Sequence, residues 1–249
     1  MSDDRFGPTS AQRRNTEPGK EIVMGSRFDA NFWDERYGST DRVWSGKPTA
    51  LLQSEVGALT AGDAVELGCG EGADAVWLAR QGWQVDAVDF SAVALSRVAE
   101  FASHAGPEVA ARIRTIEADL FDWEPREHHY DLVCAQYLHV PSELRSRLVR
   151  RASAAVRPGG HLLWIGHDRS DLQTGVARPG HPDLYFTAEE ILACVDSTDW
   201  SVQTNRVIAR DGVDRAGAPA TVHDVVVRLN CHATRPGPVD GGELSPENR

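Results

Sequence analysis

The middle of the chain switches repeatedly between a short apolar run and a stretch with helical spacing. The segment DAVELGC (63–69) is apolar and ends in glycines, as a strand buried on both faces should. ADAVWLARQG (73–82) follows, with Val76, Leu78 and Ala79 on a helical stripe and Gly82 as a stop. WQVDAVDF (83–90) alternates apolar and polar residues, and SAVALSRVAEFASHAG (91–106) opens on Ser91, a good N-cap, and closes on Gly106 with Pro107 beyond. RIRTIEADL (112–120), YDLVCAQY (130–137) and HLLWIGHD (161–168) read as further strands. PSELRSRLVRRASAAVRPGG (141–160), with helical spacing and a Pro-Gly-Gly break, separates the last two. Repeated strand–helix–strand units of this length imply right-handed crossovers and a parallel sheet. TAEEILACV (187–195) carries a Thr-x-x-Glu capping box, with Thr187 as cap and Glu190 as its partner. After it, WSVQTNRVIARD (200–211) and TVHDVVVRLNCHA (221–233) read as a hairpin. The fold class predicted is α/β, a doubly wound seven-stranded sheet, mostly parallel with a C-terminal antiparallel hairpin.

Both ends lack this patterning. Residues 1–26 are rich in Arg, Asn, Pro, Gly and Ser, and residues 233–249 cannot bury enough surface to offset ordering entropy, so both are expected to be disordered tails around one domain, residues 27–232. There are 26 Lys plus Arg against 37 Asp plus Glu, a net charge of −11, which argues against nucleic acid or an anionic membrane as a partner. The opening MSDDRFGPTS is not a basic-then-apolar signal region, and no apolar run is long enough to span a membrane, so a cytoplasmic location is expected. Cys69, Cys134, Cys194 and Cys231 form no C-x-x-C pair and read as small buried hydrophobes. His128, His129, and His181 with Asp183, have no spacing that forces metal ligation, so no metal is expected. Arg145, Arg147, Arg150 and Arg151 read as a solvated helix face, and Phe32, Trp33 and Tyr37 as a packing face.

The strongest chemical signal is AVELGCGEGADAVWLA (64–79). Gly68, Gly70 and Gly72 fall where the first strand turns into the first helix, and glycine there lets backbone approach a ligand. Asp89 ends the second strand, where a carboxylate can reach the two hydroxyls of a ribose. The pair points to a nucleoside-containing ligand. G-C-G-E-G-A also satisfies G-x-G-x-x-G/A, so a dinucleotide cofactor and an NAD(P)-dependent oxidoreductase have to be weighed. Glu66, two residues before Gly68, would repel a pyrophosphate and welcome a cationic amino acid moiety. Asp119 in EADLFDW (117–123) could accept a hydrogen bond from an adenine amino group.

Through VELGCGEG, VDAVDFS, EADL, YDLVCAQYLHV and RPGGHLLW the sequence resembles class I S-adenosylmethionine-dependent methyltransferases, over roughly residues 28 to 232. FWDERYGSTDRVWSGKP (32–48) looks like the opening segment of the tellurite-resistance and thiopurine methyltransferase-like group. Where similar sequences read GEGRNA, this one has Gly72, Ala73, Asp74 and Ala75. The resemblance implies a Rossmann-like domain and S-adenosyl-L-methionine as cofactor. Glu66, Gly68 and Gly70 would surround its methionine portion, with Cys69 between them counted among the contacts. Asp89 would hold the ribose with Phe90 against the adenine, Asp119 and Leu120 would border the adenine edge, and Gln136 would face the transferable methyl. Trp44 could close over the cofactor, an aromatic face near a sulfonium being favourable.

A sulfonium methyl is already activated, so transfer mostly needs positioning and exclusion of water, with a base only where the nucleophile arrives protonated. His139 is the first candidate for that base, and His167, followed by Asp168, is the second. The acceptor is expected to be a small molecule with a sulfur, selenium or tellurium nucleophile, or a nitrogen or oxygen nucleophile of specialised metabolism. Its pocket is expected between residues 28–48, the loop after Tyr137 and the segment 167–186. A non-catalytic relative that binds the cofactor is the other alternative.

Overall fold

The computed structural model describes residues 30–40, 42–176, 178 and 181–232; the expected tails and the first residues of the domain lie outside the described residues. Two helices, α1 (Ala30–Gly38) and α2 (Ala50–Val56), precede the sheet. Strand β1 (Asp63–Leu67), α3 (Ala73–Arg80), β2 (Gln84–Asp89), α4 (Ala92–Ala105), the short α5 (Pro107–Ala110) and β3 (Ile113–Glu117) form the first half. The second half is β4 (Tyr130–Gln136), α6 (Ser142–Ala155), β5 (Val156–His167), α7 (Ala188–Leu192), β6 (Trp200–Val213) and β7 (Pro219–Cys231). They build a seven-stranded sheet in the order β3-β2-β1-β4-β5-β7-β6. The first five strands run parallel, while β7 pairs antiparallel with both β5 and β6. This is the doubly wound arrangement with a closing hairpin that the sequence pattern predicts.

Period-two alternation divides the core. Val65, Leu67, Val133, Ala135, Leu162 and Trp164 face α6 and α7, whereas Ala64, Leu132, Cys134, Leu163 and Ile165 face α2, α3 and α4. The helices therefore cover both sides. Ser91 caps α4 as its sequence implies, its Oγ accepting from the Ala94 amide at 3.1 Å. Cys69 and Cys134 are buried, while Cys194 and Cys231 are only partly so. Among the described residues no helix is long and apolar enough to cross a membrane.

Three expectations need correction. β5 begins at Val156 rather than after the Pro-Gly-Gly, because Tyr130 pairs with Val156 and Leu132 with His161. The residues between are accommodated as an irregularity, with Gly159 at φ +83°. The capping box does not form: Thr187 makes no side-chain cap to α7. Glu190 instead takes Arg145 at 2.9 Å and Arg169 at 2.8 Å. That pairing explains the third correction. Arg147 and Arg150 are exposed, but Arg145 is buried, with its guanidinium 5.0 Å from the Phe186 ring and donating to the Val140 and Asp183 carbonyls. Arg145 thus ties α6 to the loop leading into α7.

Removing it leaves buried acceptors and a carboxylate without their donor. Arg145→Ala is expected to lower stability by about 3 kcal/mol, and Arg147→Ala to stay within about 0.5 kcal/mol. Urea unfolding of the two variants compares them directly.

Candidate functional site

The sheet has its switch point between β1 and β4, whose following helices pack on opposite faces. Beyond the carboxyl ends of these strands lies a cavity of about 470 Å³, within the range of small-molecule sites. Its floor is the turn after β1. The Gly68 and Cys69 amides donate to the Val88 carbonyl, and the Gly70 amide donates to Asp89 at 2.9 Å. The other Asp89 oxygen accepts from the Ser91 amide at 3.0 Å. Gly68 sits at φ +69°, and a Cβ there would stand 2.6 Å from Leu138 Cδ1, so the turn needs glycine for both conformation and space. Asp89 therefore fixes the turn as well as lining the cavity.

Glu66, Gly68, Cys69, Gly70, Asp89, Phe90, Asp119, Leu120, Gln136 and Trp44 all line this one cavity. Two of them are unusual. Among the described residues, buried Glu66 Oε2 has no hydrogen-bond partner, and Oε1 and Nε2 of Gln136 have none beyond a contact with Cys134. Burial raises the Glu66 pKa well above the usual carboxylate range, and the neighbouring Asp74 and Asp89 add to it. Burial likewise raises Asp89, against the hydrogen bonds it accepts. Unfolded Glu66 gives up its proton in the ordinary range and folded Glu66 only at higher pH, so this group's contribution to stability falls as pH rises through that window. Unmet acceptors on a buried carboxylate fit an ammonium group and oppose a pyrophosphate.

The roof comes from the N-terminal segment. Glu71 accepts from the Val43 amide at 3.1 Å and the Trp44 amide at 2.9 Å, and pairs with Arg97 at 2.5 Å. The Trp44 indole donates to the Tyr37 hydroxyl at 3.1 Å, and Trp33 lies against both rings. Trp33 and Tyr37 line the cavity besides packing together, a contribution that their helical spacing alone does not reveal. Asp74 accepts from the Thr49 amide and hydroxyl at 2.5 and 2.8 Å and so anchors the start of α2.

The far wall brings the two candidate histidines together. His139 and His167 both line the cavity, and their Nε2 atoms lie 3.2 Å apart. Burial, then His167, Arg36 and Arg178, push the His139 imidazole down to about 3; burial also lowers His167. Behind His167 lies a buried polar network that sequence reasoning missed. Asp224 accepts from Tyr137 at 2.9 Å, Arg178 at 2.8 Å and Arg210 at 2.5 Å. Burial would raise Asp224, but its interaction with His167, the hydrogen bond from Arg210 and the charges of Arg178 and Arg210 pull it below the ordinary range. A signal was present in TVHDVVVRL, where one aspartate interrupts an apolar strand; nothing in ARPGHPD marked Arg178. Of the described residues of the segment 167–186 only His167 lines the cavity, and Arg210 of β6 takes a share of that wall.

Residues 64–160 match the family model described as methyltransferase domain. Ribosomal RNA small subunit methyltransferase C of Alcanivorax borkumensis is 33% identical over 43% of this chain and 33% of its own length. A ubiquinone biosynthesis O-methyltransferase of Alkalilimnicola ehrlichii is 31% identical over 65% of this chain and 64% of its own. The chain thus spans from a third to just under two thirds of these two relatives. Thiocyanate methyltransferase 1 of Brassica oleracea is 25% identical over 87% of this chain and 97% of its own. Among solved structures, one titled for the conversion of a disulfide bond into a thioacetal group during echinomycin biosynthesis shares the fold. Its TM-score is 0.61 at 19% identity, over 83% of this chain and 93% of that one.

Glu71 is the single carboxylate receiving the Val43 and Trp44 amides. Glu71→Ala should therefore speed hydrogen exchange at those two amides by about tenfold or more while amides of β1 and β4 keep their protection. Equal protection in both proteins would mean the roof is held by something else.

Proposed function

We propose that this chain, whose residues 64–160 match a methyltransferase-domain model, is a class I S-adenosylmethionine-dependent methyltransferase that transfers the methyl group to a small-molecule nucleophile of sulfur, selenium or tellurium type. The observation that carries the reading is the buried Glu66 Oε2, without a hydrogen-bond partner among the described residues, in a cavity floored by the glycine turn and also lined by Gln136. Glu66 would receive the ammonium of the methionine portion, and Gly68, Cys69 and Gly70 would lie along it. Asp89 would take the ribose, and Phe90, Asp119 and Leu120 would flank the adenine. Gln136 would face the methyl group, with Trp44 above it. When bound, the cofactor supplies a methyl carbon activated by its sulfonium. This chain's residues orient that carbon, exclude water under the Trp33–Tyr37–Trp44 roof, and present the acceptor from the His139 side.

The acceptor class draws support from the thiocyanate methyltransferase, which aligns over nearly its whole length. The ubiquinone O-methyltransferase supports oxygen as the second acceptor atom.

S-adenosylhomocysteine should raise the thermal midpoint and NAD should not. Labelled methyl from S-adenosylmethionine should appear on one or more members of a panel of thiols, selenols, phenols and amines. The reverse pattern of binding would overturn the reading, and binding without transfer to any acceptor would turn it toward a non-catalytic relative. Burial raises the Glu66 pKa in the free protein, and a bound ammonium would favour the carboxylate, so the proton would leave to solvent. Calorimetry in buffers of different ionisation heat should therefore detect proton release on binding S-adenosylhomocysteine. Glu66→Gln should abolish that release and weaken binding by about tenfold or more.

A further inference from the structure

The two histidines of the far wall are not equivalent, and Arg178 makes them so. A guanidinium only donates hydrogen bonds. Arg178 directs one nitrogen at His167 Nδ1, which must therefore accept. The rest of the guanidinium is fixed by Asp171 at 3.1 Å and Asp224 at 2.8 Å, both carboxylates fully buried. Asp224 also faces His167 Nδ1, at 3.6 Å, and the two groups favour each other's charged forms, but the Arg178 nitrogen is the nearer partner and can only donate, so Arg178 sets that nitrogen. A neutral His167 whose Nδ1 accepts carries its proton on Nε2. That proton points along the 3.2 Å contact to His139 Nε2, which then accepts in turn. His139 is left with its proton on Nδ1, a nitrogen with no hydrogen-bond partner among the described residues, on a ring that lines the cavity.

We propose that Arg178 sets the direction of this two-histidine chain, so that His139 offers the methyl acceptor an Nδ1–H donor instead of a basic lone pair, and that the site selects an anionic nucleophile with no proton to lose. The proposal rests on the methyltransferase reading above. The acceptor's lone pair forms the new bond to the methyl carbon, and the carbon–sulfur bond of the donor breaks with its pair left on sulfur. The anionic and sulfonium charges cancel, and no proton has to leave. The charged groups facing the pair agree with this. Arg36 and Arg178 act on His139, while Arg178, Arg210 and Asp224 surround His167, with Tyr137 and Tyr185 against its ring. Arg178 and Arg210 are offset by Asp171 and Asp224, so of these groups Arg36 is the cation in excess. The weak basicity of His139 follows from the same surroundings. In this scheme Arg178 and His167 are positioning residues, and His139 alone touches the acceptor.

The tautomers are read without any substrate. Two-bond proton–nitrogen spectra of protein labelled with 15N-histidine, with signals assigned through His139→Asn and His167→Asn, should give Nδ1–H for His139 and Nε2–H for His167 near neutral pH. Arg178→Lys, which still only donates, should keep that pattern, and Arg178→Met should lose it. Nε2–H on His139 in the unsubstituted protein overturns the proposal whatever becomes of the variants. Transfer to 4-nitrothiophenol and 4-methoxythiophenol provides the kinetic arm. The pH at which kcat/KM levels off should move with the acidity of the thiol. A break at one pH for both thiols would mean an enzyme base and would sink the proposal while leaving the methyltransferase reading intact. Failure to bind S-adenosylhomocysteine would sink that reading instead. His139→Leu should raise KM for the thiols by about tenfold, with His139→Asn, which keeps an N–H donor, recovering part of the loss.

Discussion

Everything at the site follows from the divergence of β1 and β4. β1 sends its helix to one face of the sheet and β4 sends its helix to the other, so the strand ends part and leave a crevice that no helix fills. Residues that would point into a packed layer elsewhere in the strand here point into open space. Glu66 and Gln136 are both near the ends of such strands, and both keep unmet polar atoms there. A polar group placed this way weakens the free protein, because its lost hydration is not replaced. It also preorganises the crevice for whatever replaces that hydration.

The two sides of the crevice are built on opposite electrostatic plans. Around β1 and β2 the carboxylates Glu66, Asp74 and Asp89 crowd together, and burial raises all three. Across the cavity, Arg178 and Arg210 converge on one carboxylate, Asp224, while burial, with Arg178 beside it, lowers the basicity of both histidines. One side suits a cationic ligand and the other a nucleophile bearing negative charge. A sulfonium donor and an anionic acceptor would be held apart by preference until brought into line by the same cavity.

Much of this was legible in the chain because it depends on local pattern. The glycines at 68, 70 and 72 and the aspartate at 89 mark the turn and its carboxylate, and the alternation in β1, β2 and β4 fixes which residues reach the crevice. His139 and His167 follow adjacent strands in the sheet, which is why two positions 28 apart in sequence end in contact. What escaped reading depends on distant partners. Glu190 satisfies a capping motif by spacing, yet a buried arginine from α6 outcompetes the local amide for it. Arg145 looks like its exposed neighbours until α7 and Phe186 close over it. Arg178 lies in a Pro- and Gly-punctuated stretch with no periodicity, and only the fold delivers Asp171 and Asp224 to it.

Glu71 holds the roof by main-chain amides, not by the side chains of Val43 and Trp44. Any residue other than proline supplies the same N–H. The attachment is thus indifferent to which side chains the segment displays, although Gly70 of the floor lies close under Tyr37 and Trp44 and limits what can replace them. Descendants of this chain can exchange much of the aromatic ceiling and so change what the cavity admits, while the turn beneath keeps its own glycines and Asp89.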